Sequence, residues 1–287
     1  MPMPVSARPL VIFSHGNSFP ASTYDVMLQS LKSRGFQIKA IEKIGHDPHY
    51  PVSSNWPHLV QQLADFASRE IEKTRKPAFL VGHSMGGFLS LMCAARHPVL
   101  GGQPLRGVVM LDSPVLGGWR ATALSVAKHT QLVGALTPGA ISRKRRQQWP
   151  SAGDALVYFR SKKAFSRWDE RVLRDYIAHG TRSADRATPS QRMLCFDRDI
   201  ETAIYNTLPD NLERLLARQP LKCPAAFIGG RHSTEIKQVG MDMTEKITHG
   251  RIMMLDGSHL FPMEQPIATA AALEAALLNL AMSKSER

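Results

Sequence analysis

Little in this sequence would cross-link a fold or anchor it in a membrane. Its 287 residues contain only three cysteines, Cys93, Cys195 and Cys223, set far apart and without Cys-x-x-Cys spacing. That excludes a disulfide framework and a cysteine-rich zinc site, and makes a reducing cytoplasm the expected compartment. No unbroken apolar run reaches the roughly 18 residues that a membrane helix needs. The most apolar stretch, residues 267–282, is interrupted by Thr269, Glu274 and Asn279 and reads as a buried helix. The N-terminal Met-Pro-Met-Pro-Val-Ser-Ala-Arg-Pro lacks the apolar core of a signal peptide. Internal repeats and low-complexity tracts are also missing. What is present is ordinary globular material: 43% hydrophobic and 21% charged residues, enough apolar matter to offset the entropy of ordering the chain.

Charge is the one compositional bias. Lys and Arg number 36 against 24 Asp and Glu, for a net +12. Residues 115–222 hold nineteen basic and ten acidic side chains, with the densest cluster at Arg143-Lys144-Arg145-Arg146. An anionic partner is one reading. The other is a solvated basic face. Acidic residues such as Asp169, Glu170 and Asp175 are interleaved and no aromatic–basic motif accompanies the cluster, so no nucleic-acid partner is expected.

The flanking segments alternate between strand-like and helix-like patterns. Short apolar runs at 10–13, 36–41, 78–82, 108–111, 225–228 and 252–255 predict six strands. Residues 24–34, closed by Gly35, predict a helix. Trp56, Leu59, Val60, Leu63, Phe66, Ala67 and Ile71 recur at helical spacing. Further helices are expected over about 85–96, 235–247 and 267–282. Continuous apolar strands separated by helices indicate a mostly parallel sheet of about six strands, covered on both faces. The fold class is therefore α/β. Residues 1–114 and 223–287 form the expected core, and 115–222 a helical insert without clear strands, laid as a cap over the carboxyl edge of the sheet, where the sites of open α/β sheets lie.

One local pattern carries the most chemistry: Gly82-His83-Ser84-Met85-Gly86-Gly87 directly after the third strand. Gly-x-Ser-x-Gly puts a serine on a sharp strand-to-helix turn, and small residues two positions away avoid clashes with the neighbouring strand and helix. The Ser84 hydroxyl is thereby presented at a helix N-terminus, where developing negative charge is favoured. The plainer alternative is a glycine turn carrying an idle serine. His15-Gly16-Asn17 follows the first strand; a loop there brings a backbone N–H near the serine, to pair with the N–H of Met85 as an oxyanion hole, or is simply a hydrogen-bonded turn. His259 follows the last strand, from where a base reaches Ser84 across the sheet edge; among eleven histidines this position singles it out.

Taken together, the His-Gly-Asn loop, Glu42-x-x-Gly45-His46-Asp47, the Ser84 elbow, the insert and Gly257-Ser258-His259 resemble the α/β-hydrolase superfamily along nearly the whole chain. The sheet starts at the strand this superfamily counts as its third. The resemblance implies Ser84 as nucleophile, His259 as base, and the amides of Asn17 and Met85 as oxyanion donors. The loop is also similar to that of haloalkane dehalogenases, which use an aspartate where this chain has Ser84. For the third triad member two carboxylates remain open. The superfamily usually places an aspartate in the loop here reading Gly229-Gly230-Arg231-His232-Ser233-Thr234-Glu235, so Glu235 is one candidate. Asp112, at the end of the fourth strand, is the other and the favoured one. The expected activity is a serine hydrolase cleaving a carboxylic ester or similar small acyl substrate, with no metal and no organic cofactor. Trp119, Trp149, Tyr158, Phe159, Phe165 and Trp168 either line its pocket or pack the insert. The alternatives are a carbon–carbon (diketone) hydrolase on the same fold, or a non-catalytic protein that binds through a basic cap.

Overall fold

The computed structural model describes residues 9–115, 117, 143, 145–185 and 188–283. Six strands form one sheet: β1 (Leu10–Ser14), β2 (Gln37–Ala40), β3 (Ala78–His83), β4 (Gly107–Leu111), β5 (Ala225–Gly230) and β6 (Ile252–Leu255). Their order is β6-β5-β4-β3-β1-β2, and every neighbouring pair is parallel. The labelled helices are α1 (Asp25–Ser33), α2 (Pro57–Thr74), α3 (Met85–Arg96), α4 (Ala152–Arg160), α5 (Glu170–Gly180), α6 (Arg198–Asn206), α7 (Leu212–Arg218), α8 (Thr234–Val239), α9 (Asp242–Thr248), α10 (Phe261–Glu264) and α11 (Pro266–Met282).

Side-chain alternation explains the layering. Val11, Phe13, Phe79, Val81, Val109, Leu111 and Ile228 share one buried cluster with Met27, Leu28 and Leu31 of α1 and Leu273, Leu277 and Leu280 of α11. Their neighbours Leu10, Ile12, Leu80, Val108, Met110 and Phe227 share the other with Leu59, Leu63 and Ile71 of α2 and Leu89 and Met92 of α3. The inner strands β1, β3, β4 and β5 are buried along their length, whereas the edge strands β2 and β6 are half-buried. Since each such side chain contributes about 1.5–3 kcal/mol on burial, register is fixed on both faces. Helix α1 ends as the sequence suggests: Gly35 has φ +95°, its N–H donates to Lys32 O at 2.8 Å, and the Phe36 N–H donates to Leu31 O at 3.3 Å.

The chain winds from β1 to β2 on one side, then crosses back so that β3 lies beside β1 on the other. That reversal is a topological switch point, and the loops leaving the carboxyl ends of the strands around it converge. His15 to Asn17, Ser84, Asp112, Ser233 and His259 all lie on those loops.

Two expectations need correction. The insert between β4 and β5 contains, besides α4–α7, an antiparallel sheet of Gln148–Trp149, Arg192–Leu194 and Thr181–Ser183, with Arg192–Leu194 central. Strands of two or three residues are too short for alternation to register in sequence. The single helix expected over 235–247 is two, α8 and α9, because Gly240 breaks the run with φ +82°. Among the described residues, no helix is long and apolar enough to cross a membrane.

Candidate active site

The elbow forms because two glycines permit a contact that any side chain would block. A Cβ on Gly82 would lie 2.1 Å from the Gly86 carbonyl group, and one on Gly86 would lie 2.0 Å from Ser14 O. With those approaches open, β3 turns directly into α3. Ser84 sits at the turn with φ +53° and ψ −117°, a region that costs a non-glycine residue about 1–3 kcal/mol and persists where surrounding structure imposes it. The Ser84 N–H donates to Leu111 O at 2.9 Å, and the Ser113 hydroxyl donates to Ser84 O at 2.8 Å.

His259 reaches this serine from the loop after β6, on the same side of the switch point. Its Nε2 lies 3.0 Å from Ser84 Oγ, and its Nδ1 lies 2.7 Å from Asp112 Oδ2. A carboxylate only accepts, so Nδ1–H donates to Asp112, and Nε2 is left to accept the Ser84 O–H. The Asp112 side chain is fully buried and holds two more donors: the Gly230 N–H on Oδ1 at 2.7 Å and the Ser233 hydroxyl on Oδ2 at 2.5 Å. Glu235 is different. Its Oε2 is 3.8 Å from His259 Nδ1, beyond hydrogen-bond reach, and its side chain is 42% exposed. Of the two candidate carboxylates, therefore, Asp112 makes the hydrogen bond. Burial pushes the His259 imidazole toward lower pKa. The hydrogen bond to Asp112 and the charges of Glu235 and Asp112 outweigh that, and the net displacement is above the ordinary 6.5.

The loop after β1 is held by side chains. His15 Nδ1–H donates to Gly16 O at 2.8 Å, and the Ile44 N–H donates to His15 Nε2 at 2.8 Å. Asn17 Nδ2 donates to the Glu201 carbonyl at 3.1 Å, which commits that amide to the insert. Among the described residues, the backbone N–H groups of Asn17 and Met85 donate to no other group.

Sequence reasoning missed the network beneath this site. His83 Nε2 is 2.9 Å from the His259 carbonyl oxygen, which can only accept, so Nε2 carries the proton. His83 Nδ1 then accepts from the Tyr24 hydroxyl at 2.7 Å, and that hydroxyl accepts the Gly16 N–H at 3.0 Å. Burial, with the nearby His259, pushes the His83 pKa down to about 3, so the ring stays neutral as this pattern requires. One phenol thus ties the β1 loop to the elbow and, through His83, to the His259 loop. Tyr24→Phe orphans two buried groups at once. We expect it to lower stability by about 1–3 kcal/mol in urea unfolding, and to reduce kcat more than it raises KM, by roughly tenfold or more. On the far side of His259, Glu264 takes the Ser258 hydroxyl at 2.5 Å and the Ser258 N–H at 3.0 Å. None of these pairings has a local sequence signature.

The insert's basic cluster is not uniformly solvated. Arg145 Nη1 pairs with the fully buried Glu201 at 2.8 Å and Nη2 donates to the Tyr176 hydroxyl, a buried charge pair directly behind the loop of Asn17. Lys144 and Trp119 lie outside the described residues. Phe165, Trp168 and Tyr176 pack on one another and on Phe19. Trp149, Tyr158 and Phe159 stack alongside. These aromatics cement the insert to the β1 loop. Asp112, Glu235 and His259 offer ligand-type atoms within 4.8 Å of one another; both ring nitrogens are engaged, however, and the grouping is a hydrogen-bonded chain that ends on a hydroxyl.

Comparison with known proteins places the chain in a family. The profile of the Alpha/beta hydrolase family matches residues 11–272. The chain belongs to that family. It is an enzyme, a hydrolase, which sets aside the non-catalytic reading. It is similar to a protein of Mycobacterium phage D29 provisionally named a non-heme haloperoxidase, 23% identical over 94% of this chain and 88% of that protein. Monoglyceride lipase of Rattus norvegicus is 30% identical over 112 residues, 37% of each chain. Among solved structures, the peroxisomal alpha-beta-hydrolase Lpx1 of Saccharomyces cerevisiae matches with a TM-score of 0.69 at 14% identity, over 97% of this chain and 79% of that one; at that identity the likeness speaks to fold alone.

Proposed function

We propose that this hydrolase cleaves a carboxylic ester or a similar acyl compound through a Ser84–His259–Asp112 triad and an acyl-enzyme. The observation that carries the reading is the pair of distances at His259, 3.0 Å to Ser84 Oγ and 2.7 Å to Asp112 Oδ2. His259 Nε2 takes the Ser84 proton as Oγ attacks the acyl carbon. The imidazolium, stabilised by Asp112, then protonates the departing alcohol. Water enters, His259 takes its proton, and the carboxylic acid leaves with Ser84 restored. The free N–H groups of Asn17 and Met85 are the oxyanion donors. The described part of the insert between β4 and β5 acts as a cap, tied to the β1 loop by the aromatic packing around Phe19. The lipase named among the relatives is in keeping with the ester reading.

A panel of p-nitrophenyl esters of graded acyl length tests the reading. Turnover of at least one member, abolished by a fluorophosphonate at neutral pH, is the expected result. Failure to hydrolyse any member, together with failure of the probe to label the protein, would remove it.

A further inference from the structure

We propose that Glu235 is a second counter-charge for the His259 imidazole, a positioning residue that sets the pH at which the base becomes available. This rests on the triad reading above. The His259 Nδ1–H faces two carboxylate oxygens, Asp112 Oδ2 at 2.7 Å and Glu235 Oε2 at 3.8 Å. One proton is donated to one acceptor, and Asp112 holds it. Glu235 therefore acts on the ring through charge alone.

Its place is built. The Thr234 hydroxyl donates to Glu235 Oε2 at 2.9 Å. The Ser233 hydroxyl lies between the two carboxylates, 2.5 Å from Asp112 Oδ2 and 3.3 Å from Glu235 Oε2, and accepts the Ile236 N–H at 3.2 Å. With its single proton given to Asp112, that hydroxyl cannot neutralise Glu235. Two negative charges therefore converge on one imidazole.

The other groups around the ring do not cancel them. From the elbow come Ser84 and the neutral His83, whose ring centroid is 5.0 Å away. Tyr24, behind His83, is held protonated by burial. In the base's own loop, Glu264 is bound by Ser258 and lies 3.7 Å from Arg167. The exposed His232–Asp256 pair, at 2.9 Å, stands on the rim. Tyr205, on α6, is held protonated by burial and by the charges of Glu201 and Glu235.

The sign follows directly. His259 must be neutral to take the Ser84 proton, and nearby carboxylates favour its protonated form. Activity is thus lost as pH falls through a His259 pKa lying above 6.5. Glu235→Gln removes one charge and keeps the shape, so the ring deprotonates at lower pH and the acid limb of kcat/KM moves down. At a fixed pH on that limb, the rate relative to the plateau rises roughly three- to tenfold. The plateau itself falls no more than a few-fold, because Asp112 still orients the ring. Since Glu235 is part-exposed, salt screens its effect, and the wild-type limb moves toward that of Glu235→Gln as ionic strength rises.

The experiment is a pH profile on p-nitrophenyl acetate for wild type, Glu235→Gln and Glu235→Asp, paired with an NMR titration of the His259 ring, assigned through His259→Gln. Downward movement of both midpoints in Glu235→Gln, with Glu235→Asp near wild type, supports the proposal. An unmoved or raised NMR midpoint in Glu235→Gln overturns it, and so does a plateau that collapses in Glu235→Gln while Asp112→Asn stays active. If the NMR midpoint moves although no variant hydrolyses the ester, the electrostatic role stands and the ester reading is what fails.

Discussion

Ser84→Ala is expected to abolish fluorophosphonate labelling and to lower kcat on any ester substrate by at least about 10⁴. In serine proteases of an unrelated fold, loss of the equivalent serine costs about 2 × 10⁶ in kcat, and the remainder comes from oxyanion donors and binding. Under the proposed mechanism the same division applies here. The N–H groups of Asn17 and Met85 stay in place without the hydroxyl, whereas His259 Nε2 loses the proton it would take at 3.0 Å. The substitution removes one oxygen and leaves the elbow's contacts intact: the Ser84 N–H bond to Leu111 O and the close approaches at Gly82 and Gly86 are all backbone. The melting temperature should therefore stay near wild type. KM, set largely by contacts away from the hydroxyl, should change little. Labelling that survives in Ser84→Ala, or activity within about tenfold of wild type, would move the nucleophile elsewhere and undo the proposed mechanism.

The layout of the core was legible because its signals are local and repeated. Each inner strand is an unbroken apolar run buried on both faces, and α2 shows its face as a helical stripe. The insert was less legible. Its small sheet joins residues 148–149 to 192–194 and 181–183, and pairing across such gaps leaves no periodicity. The charge run at Arg143 to Arg146 was readable only as charge. That Arg145 turns inward depends on Glu201, 56 residues away, presenting a buried carboxylate.

The site divides in the same way. Ser84 and His259 announce themselves, one by the glycines that flank it and the other by following the last strand. Sequence favoured Asp112 over Glu235 without deciding between them, because their placement against His259 depends on how β4 and β5 pair. Leu111 stands opposite Ile228, so the Asp112 N–H reaches Ile228 O at 2.8 Å and its carboxylate meets the Gly230 N–H. In the loop where an aspartate is usual for the family, this chain has His232 and Ser233, and the Ser233 hydroxyl donates to Asp112. Tyr24 and His83 were invisible because each acts on a segment distant in the chain, and Glu264 because its hold on Ser258 depends on the turn between them.

Asp112→Asn should lower kcat by at least roughly 10² with far-UV circular dichroism unchanged. The carboxylate receives three donors, from His259, Gly230 and Ser233, and an amide offers one oxygen where the acid offered two. If the Asn NH₂ faces His259, Nδ1 becomes an acceptor and the ring proton moves to Nε2. That nitrogen then points a proton at Ser84 and cannot take one. The equivalent change in a serine protease costs about 10⁴ by this tautomer effect. Here Glu235 remains 3.8 Å from Nδ1 and still favours the imidazolium, so the loss should fall short of that figure. The double variant Asp112→Asn/Glu235→Gln should fall further than the product of the single effects, since the two carboxylates act on one ring. A reversed order, with Glu235→Gln the more damaging, would make Glu235 the acid and leave Asp112 as a strand-end residue. If neither change matters, the imidazole is oriented without a carboxylate, and the triad reduces to Ser84 and His259.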